Sequence, residues 1–74
     1  MDDAYAVILV YSIGHALQAE KVLREAGIAC KLIPVPRHLS SDCGSCLRIL
    51  RTDRETAKAL LEARRIEIRG LHEV

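Results

Sequence analysis

Residues 4–11, AYAVILVY, restrict what this chain can build more than any other stretch. Eight residues without a charge, rich in Val, Ile and Tyr, favour an extended strand. The run is apolar on both sides of the pleat. Ala6, Ile8 and Val10 share one face, and Tyr5, Val7, Leu9 and Tyr11 share the other. Such a strand belongs at the centre of a sheet. It falls far short of the roughly 18 apolar residues that suggest a membrane span.

The rest of the chain supplies partners for it. Ser12 is placed to cap a helix in which Ala16, Ala19, Leu23 and Ala26 recur at spacings of three and four, with Leu17 and Val22 widening the stripe. Gly27 ends that helix. Residues 28–33, IACKLI, predict a second strand, with Ile28, Cys30 and Leu32 on one face and Lys31 on the other. Residues 46–51, CLRILR, predict a third, with Leu47 and Ile49 inward. Thr52 and Glu55 have capping-box spacing ahead of a helix whose stripe is Ala57, Leu60 and Leu61. Residues 65–71, RIEIRGL, predict a fourth strand through alternating Ile66 and Ile68.

The order strand, helix, strand, strand, helix, strand predicts an α+β, ferredoxin-like two-layer sandwich. Two helices lie on one face of a four-stranded antiparallel sheet. The chain of 74 residues forms a single domain, 1–74. In that arrangement the second apolar face of the first strand is left in water, so a homodimer through the sheet is expected.

Half the residues are hydrophobic and the net charge is +1, so the chain has the composition of a folded domain. The near-neutral charge and only two aromatics, Tyr5 and Tyr11, argue against nucleic acid. The opening Met1-Asp2-Asp3 is acidic where a secretory signal is basic. A cytoplasmic, reducing setting is expected, with no membrane partner. Three cysteines there act as core filler, metal ligands or redox-active thiols rather than as a disulfide framework.

Nine residues, 37–45, join strands that a hairpin could join with two to five. Pro34 and Pro36 stiffen the approach, and neither donates a ladder hydrogen bond, which marks a strand end or sheet edge. The loop holds two cysteines, Cys43 and Cys46. At a pKa near 8.5 about 3% of a thiol is thiolate at pH 7. Arg37, His38 and Arg48 favour the thiolate and Asp42 opposes it. Ser40, Ser41 and Gly44 belong to a turn of the kind whose backbone amides can face an anion.

The cysteine pair admits several chemistries. It can be a C-x-x-C thiol-disulfide couple, although the stretch after it reads as strand rather than helix. It can belong to a metal-binding or redox-sensing module with His38, although one pair is half of a structural zinc site. Cys43 can be a lone nucleophile with Cys46 as a resolving thiol or an incidental small residue. Two cysteines without a role remain the plain alternative. Cys30, alternating with Ile28 and Leu32, is expected to be core filler. His15 in the first turn of the first helix is either a capping residue or, with Ser12 and Gly14, part of a small anion site. No cofactor and no metal site is expected.

The helix HALQAEKVLREAGI (15–28) and the segment KLIPVPRHLSSDCGSCLRI (31–49) resemble a family of small bacterial proteins described as Se/S carrier-like. The Pro-x-Pro-Arg, the serines and the Cys-Gly are its most specific elements. The resemblance implies a carrier, not a turnover enzyme, that holds sulfur or selenium as a persulfide or selenopersulfide. Cys43, matching the family's Cys-Gly, would be the carrier thiol, with Arg37 stabilising its thiolate. Donor and acceptor proteins would be its partners. Cys46 stands where the family has a small apolar residue.

Overall fold

The computed structural model describes residues 4–39 and 44–73. Strand β1 is Tyr5–Leu9, followed by helix α1 (Ile13–Glu25), strands β2 (Cys30–Pro34) and β3 (Ser45–Leu50), helix α2 (Arg54–Ala63) and strand β4 (Gly70–Glu73). The sheet order is β2-β3-β1-β4, with every neighbouring pair antiparallel. The expected two-layer α+β sandwich is therefore present. β3 lies between β1 and β2, and β1 lies between β3 and β4, so each helix connects strands separated by one other.

The local signals act as chemistry requires. Ser12 Oγ accepts the backbone N–H of His15 at 3.3 Å and caps α1. At the other end Ile28 N–H donates to Leu23 O at 2.9 Å and Gly27 N–H to Arg24 O at 3.0 Å. Gly27 sits at φ 81, the left-handed conformation that glycine adopts without strain. Pro34 ends β2, and β2 is an edge strand, where its missing N–H leaves no gap in the ladder.

The helix-facing core gathers Ala6, Ile8 and Val10 with Leu47 and Ile49 from β3, Ala16, Ala19 and Leu23 from α1, and Ala57 and Leu61 from α2. The other face of β1 is not left in water. Val7 is 0% and Leu9 3% exposed, buried with Cys46 beneath Ile33, Val35 and Leu39. The chain running out of β2 folds across the sheet and covers it. The apolar surface on which a sheet-mediated homodimer was to rest is closed at these two positions.

Two elements differ from expectation. The fourth strand begins at Gly70 rather than Arg65. Helix α2 ends in the same two-bond arrangement as α1, with Ile66 N–H to Leu61 O at 2.9 Å and Arg65 N–H to Glu62 O at 3.0 Å. That turn consumes Arg65 and redirects the chain, so Ile66 and Ile68 pack against the core from a connecting segment outside the ladder. The capping box also does not form. A 3-10 turn, Arg51–Asp53, precedes α2, whose N-cap is Asp53 without a side-chain cap bond. Glu55 instead lies 3.3 Å from Arg54. The far end of β4 is fastened to this turn, with Glu73 meeting Arg54 at 2.5 Å and Arg51 at 3.5 Å.

Arg65 occupies the left-handed position, φ 57, that Gly27 fills in the equivalent turn. A side chain there costs roughly 1–2 kcal/mol, partly offset in the unfolded chain by the greater freedom of glycine. Arg65→Gly should therefore stabilise the protein by about 0.5–1 kcal/mol. A rise in melting temperature of a few degrees by circular dichroism checks this; a fall shows that the Arg65 side chain contributes more than its backbone strain.

Candidate functional site

The ladder registers fix which segments meet at one end of the sheet. Leu9, the last residue of β1, pairs with Cys46 and with Gly70, while Pro34 pairs with Ser45. Arg69 N–H donates to Leu9 O at 2.7 Å. The first turn of α1, four residues beyond Leu9, starts from the same end. The loop between β2 and β3, the start of α1 and the approach to β4 thus share one rim.

The stems of the loop are tied. Val35 N–H donates to Gly44 O at 3.1 Å, carrying the β2–β3 pairing one step past Pro34. Leu39 N–H donates to Pro36 O at 3.0 Å and closes a turn with Arg37 and His38 at its corners. Val35 and Leu39 turn inward onto Val7, Leu9 and Cys46, while Arg37 and His38 are exposed. The arm is amphipathic, with apolar side chains locked to the sheet and cations offered to solvent. Gly44 is exposed, and a Cβ built on it would meet no heavy atom of the described residues within 4 Å. Ser40, Ser41, Asp42 and Cys43 lie outside the described residues.

The remaining thiols have distinct surroundings. Cys46 is 0% exposed, its Sγ 4.0 Å from Pro34 O among aliphatic side chains. Its sulfur is sealed from solvent, so attack on it requires the Val35–Leu39 arm to lift. Cys30 is half-buried against the helix-facing core rather than fully enclosed, with Sγ 3.9 Å from Glu20 O. Burial pushes its thiol pKa up, opposed by the neighbouring Arg24 and assisted by the charge of Glu20. A thiol needs its thiolate to react, so the raised pKa slows exchange at Cys30, while burial withholds Cys46 from solvent.

The other expected groups are spent locally. Arg48 lies with its guanidinium 4.2 Å from the ring centre of Tyr5, three residues along β3 from Ser45. His15 Nδ1 is 2.8 Å from Ser12 Oγ, and its ring stands edge-on to Tyr11 at 6.3 Å, so it serves the helix cap. Among the described residues no group of three His, Cys, Asp or Glu side chains is gathered as a metal site. No described helix is long and apolar enough to cross a membrane.

The sequence reading missed the part played by Val35 and Leu39. The signal was available: Ile33 and Val35 continue the alternation of the open sheet face straight through the two prolines.

A two-layer α+β domain with a thiol-bearing loop tied at one rim of its sheet is the class of protein these features define. The chain belongs to the family "Putative Se/S carrier protein-like", whose model matches residues 5–73. Comparison with curated proteins found no match. Comparison with solved structures found none either.

The burial of Cys46 has a direct readout. In the intact protein iodoacetamide should label Cys46 about a hundredfold more slowly than an unstructured thiol. Leu39→Ala, which thins its cover, should destabilise the fold by about 1–2 kcal/mol and speed that labelling; unchanged labelling would mean that the arm is not the barrier. Cys30, studied with Cys43→Ser and Cys46→Ala in place, should alkylate with a midpoint above that of the same thiol in the unfolded chain. Because the folded chain holds that proton more tightly than the unfolded one, the same group should lower stability as pH rises past the unfolded thiol's midpoint. A midpoint at or below the unfolded one contradicts the assignment to burial.

Proposed function

We propose that the chain is a sulfur or selenium carrier in which Cys43 receives the chalcogen from one protein and yields it to another. The observation that carries the proposal is the family match, which spans the Cys43-Gly44 pair. Two features around it support the reading. The loop stems are tied to the sheet while open space adjoins Gly44, giving a large partner room to approach. Arg37, exposed at the corner of the 36–39 turn, supplies positive charge on the same loop and acts as the thiolate stabiliser. Ser40, Ser41 and Gly44 are the residues assigned to hold the anionic terminal sulfur through the turn's amides.

The transfer is a thiol–persulfide exchange. The Cys43 thiol loses its proton to water, and the thiolate attacks the outer sulfur of a donor persulfide, RS–SH. The RS–S bond breaks, the donor leaves as RS⁻, and Cys43 carries S–SH. No electron is gained or lost overall. An acceptor thiolate then attacks the terminal sulfur and releases the Cys43 thiolate; selenium follows the same course.

A metal-binding or redox module built on the C-x-x-C pair needs both sulfurs in reach of one ligand or of each other. The burial of Cys46 from solvent supports the carrier reading, in which that sulfur has no part. It also gives the second thiol a physical account: a small apolar-behaving residue under the arm.

Incubation with a cysteine desulfurase and cysteine should add the mass of one sulfur atom to the protein, located by peptide mapping at Cys43. Cys46→Ala should load to the same extent, and Cys43→Ser should not load. Equal loading of Cys43→Ser would place the carrier thiol elsewhere. Loss of loading in a folded Cys46→Ala would restore the paired-cysteine alternative.

A further inference from the structure

The arm from β2 covers only part of the open sheet face. Past it, toward the far end of β3, lies a patch that neither the core nor the thiol loop uses. Lys31 and Arg48 stand directly opposite each other across β2 and β3. Like charges in that register repel, so the pairing works against the sheet. Neither has a carboxylate partner among the described residues. The described ion pairs join Glu20 to Arg24, Glu55 to Arg54, and Glu73 to Arg51 and Arg54. His72, opposite Val7 and exposed, adds a third basic side chain to the same face. The described strand residues on this face include no Asp or Glu.

The patch has shape as well as charge. Tyr5, Lys31, Arg48 and Leu50, with Cys30 and Ile49 reaching in from the helix-facing side, line a recess of about 230 Å³ at the end of the sheet, and Leu50 is 42% exposed. The Tyr5 ring holds the Arg48 guanidinium by its face at 4.2 Å. A guanidinium stacked in this way keeps its edge N–H donors available for bidentate hydrogen bonds to a carboxylate. The result is a pre-positioned cation beside an apolar shelf.

We propose that this face is a docking surface for an acidic segment of a partner protein, with carboxylates at Arg48 and Lys31 and an apolar side chain against Leu50. Nucleic acid fits it less well. The chain's net charge is only +1, and the Tyr5 ring is already occupied by the guanidinium. The patch lies toward the opposite end of β3 from the thiol loop, so a bound segment would leave the loop rim uncovered. The inference rests on charge placement and stands apart from the sulfur proposal: it requires no cysteine.

Fluorescence anisotropy with labelled octaglutamate, and with labelled oligothymidine of equal charge, tests it on the full chain. Octaglutamate should bind the wild type, more tightly at about 0.01 M salt than at about 0.15 M. Lys31→Glu combined with Arg48→Gln should weaken it by about tenfold or more while keeping the wild-type circular dichroism spectrum. Amide NMR shifts on the wild type should centre on Lys31, Arg48 and Leu50, which keeps the test decisive even if the double variant unfolds. Absence of octaglutamate binding, shifts centred on Arg37 or Arg65 instead, equal binding by a folded double variant, or tighter binding of oligothymidine would each overturn the proposal.

Discussion

Everything in this small domain depends on a central strand that must be buried on both sides. β1 offers Ala6 and Ile8, joined by Val10 just past its end, to the helices and Val7 and Leu9 to the opposite face. A two-layer sandwich provides one cover only, and the second has to come from somewhere. Burying a Val or Leu side chain contributes about 1.5–3 kcal/mol, a large share of the stability a domain of this length can hold. The chain meets the need with the Pro34–Leu39 segment. Its prolines limit the entropy lost on docking, and its alternate side chains continue the pleat of β2 onto the exposed sheet.

This packing solution shapes the chemistry. The segment that covers the sheet also leads to the thiol loop, so the anchoring that buries Val7 and Leu9 also fixes the stems of that loop. The same cover isolates Cys46. Cys46 lies beneath the arm because β3 begins just before it, at Ser45, and turns its side chain onto the covered face. Proximity along the chain is a poor guide to reactivity when a strand boundary intervenes.

Much of the architecture was legible in residue order. Ser12 and Gly27 bounded α1 because caps depend on a few neighbouring backbone groups. The misreadings came where a distant group decided between local options. Ile66 and Ile68 alternate like a strand, but the ladder between β1 and β4 ends at Leu9 and Gly70, and the turn at Arg65 carries them into a connection. Thr52 and Glu55 have capping-box spacing, but the chain reaches α2 through a 3-10 turn, leaving Asp53 at the cap. Within the site, Arg37 and Gly44 were identifiable from the loop's composition. The enclosure of Cys46 was not, because it depends on side chains contributed seven and eleven residues earlier.

The sequence by itself determined the elements, their order, the central place of β1 and the family, since these follow from periodicity, turn residues and motif. Tertiary structure alone decided what covers the second face of β1, which cysteine is enclosed, and that Lys31 and Arg48 stand side by side. The physical reason is common to all three. Burial and charge proximity are set by strand register and by chain crossing over a sheet, and those relations join residues that the linear order keeps apart.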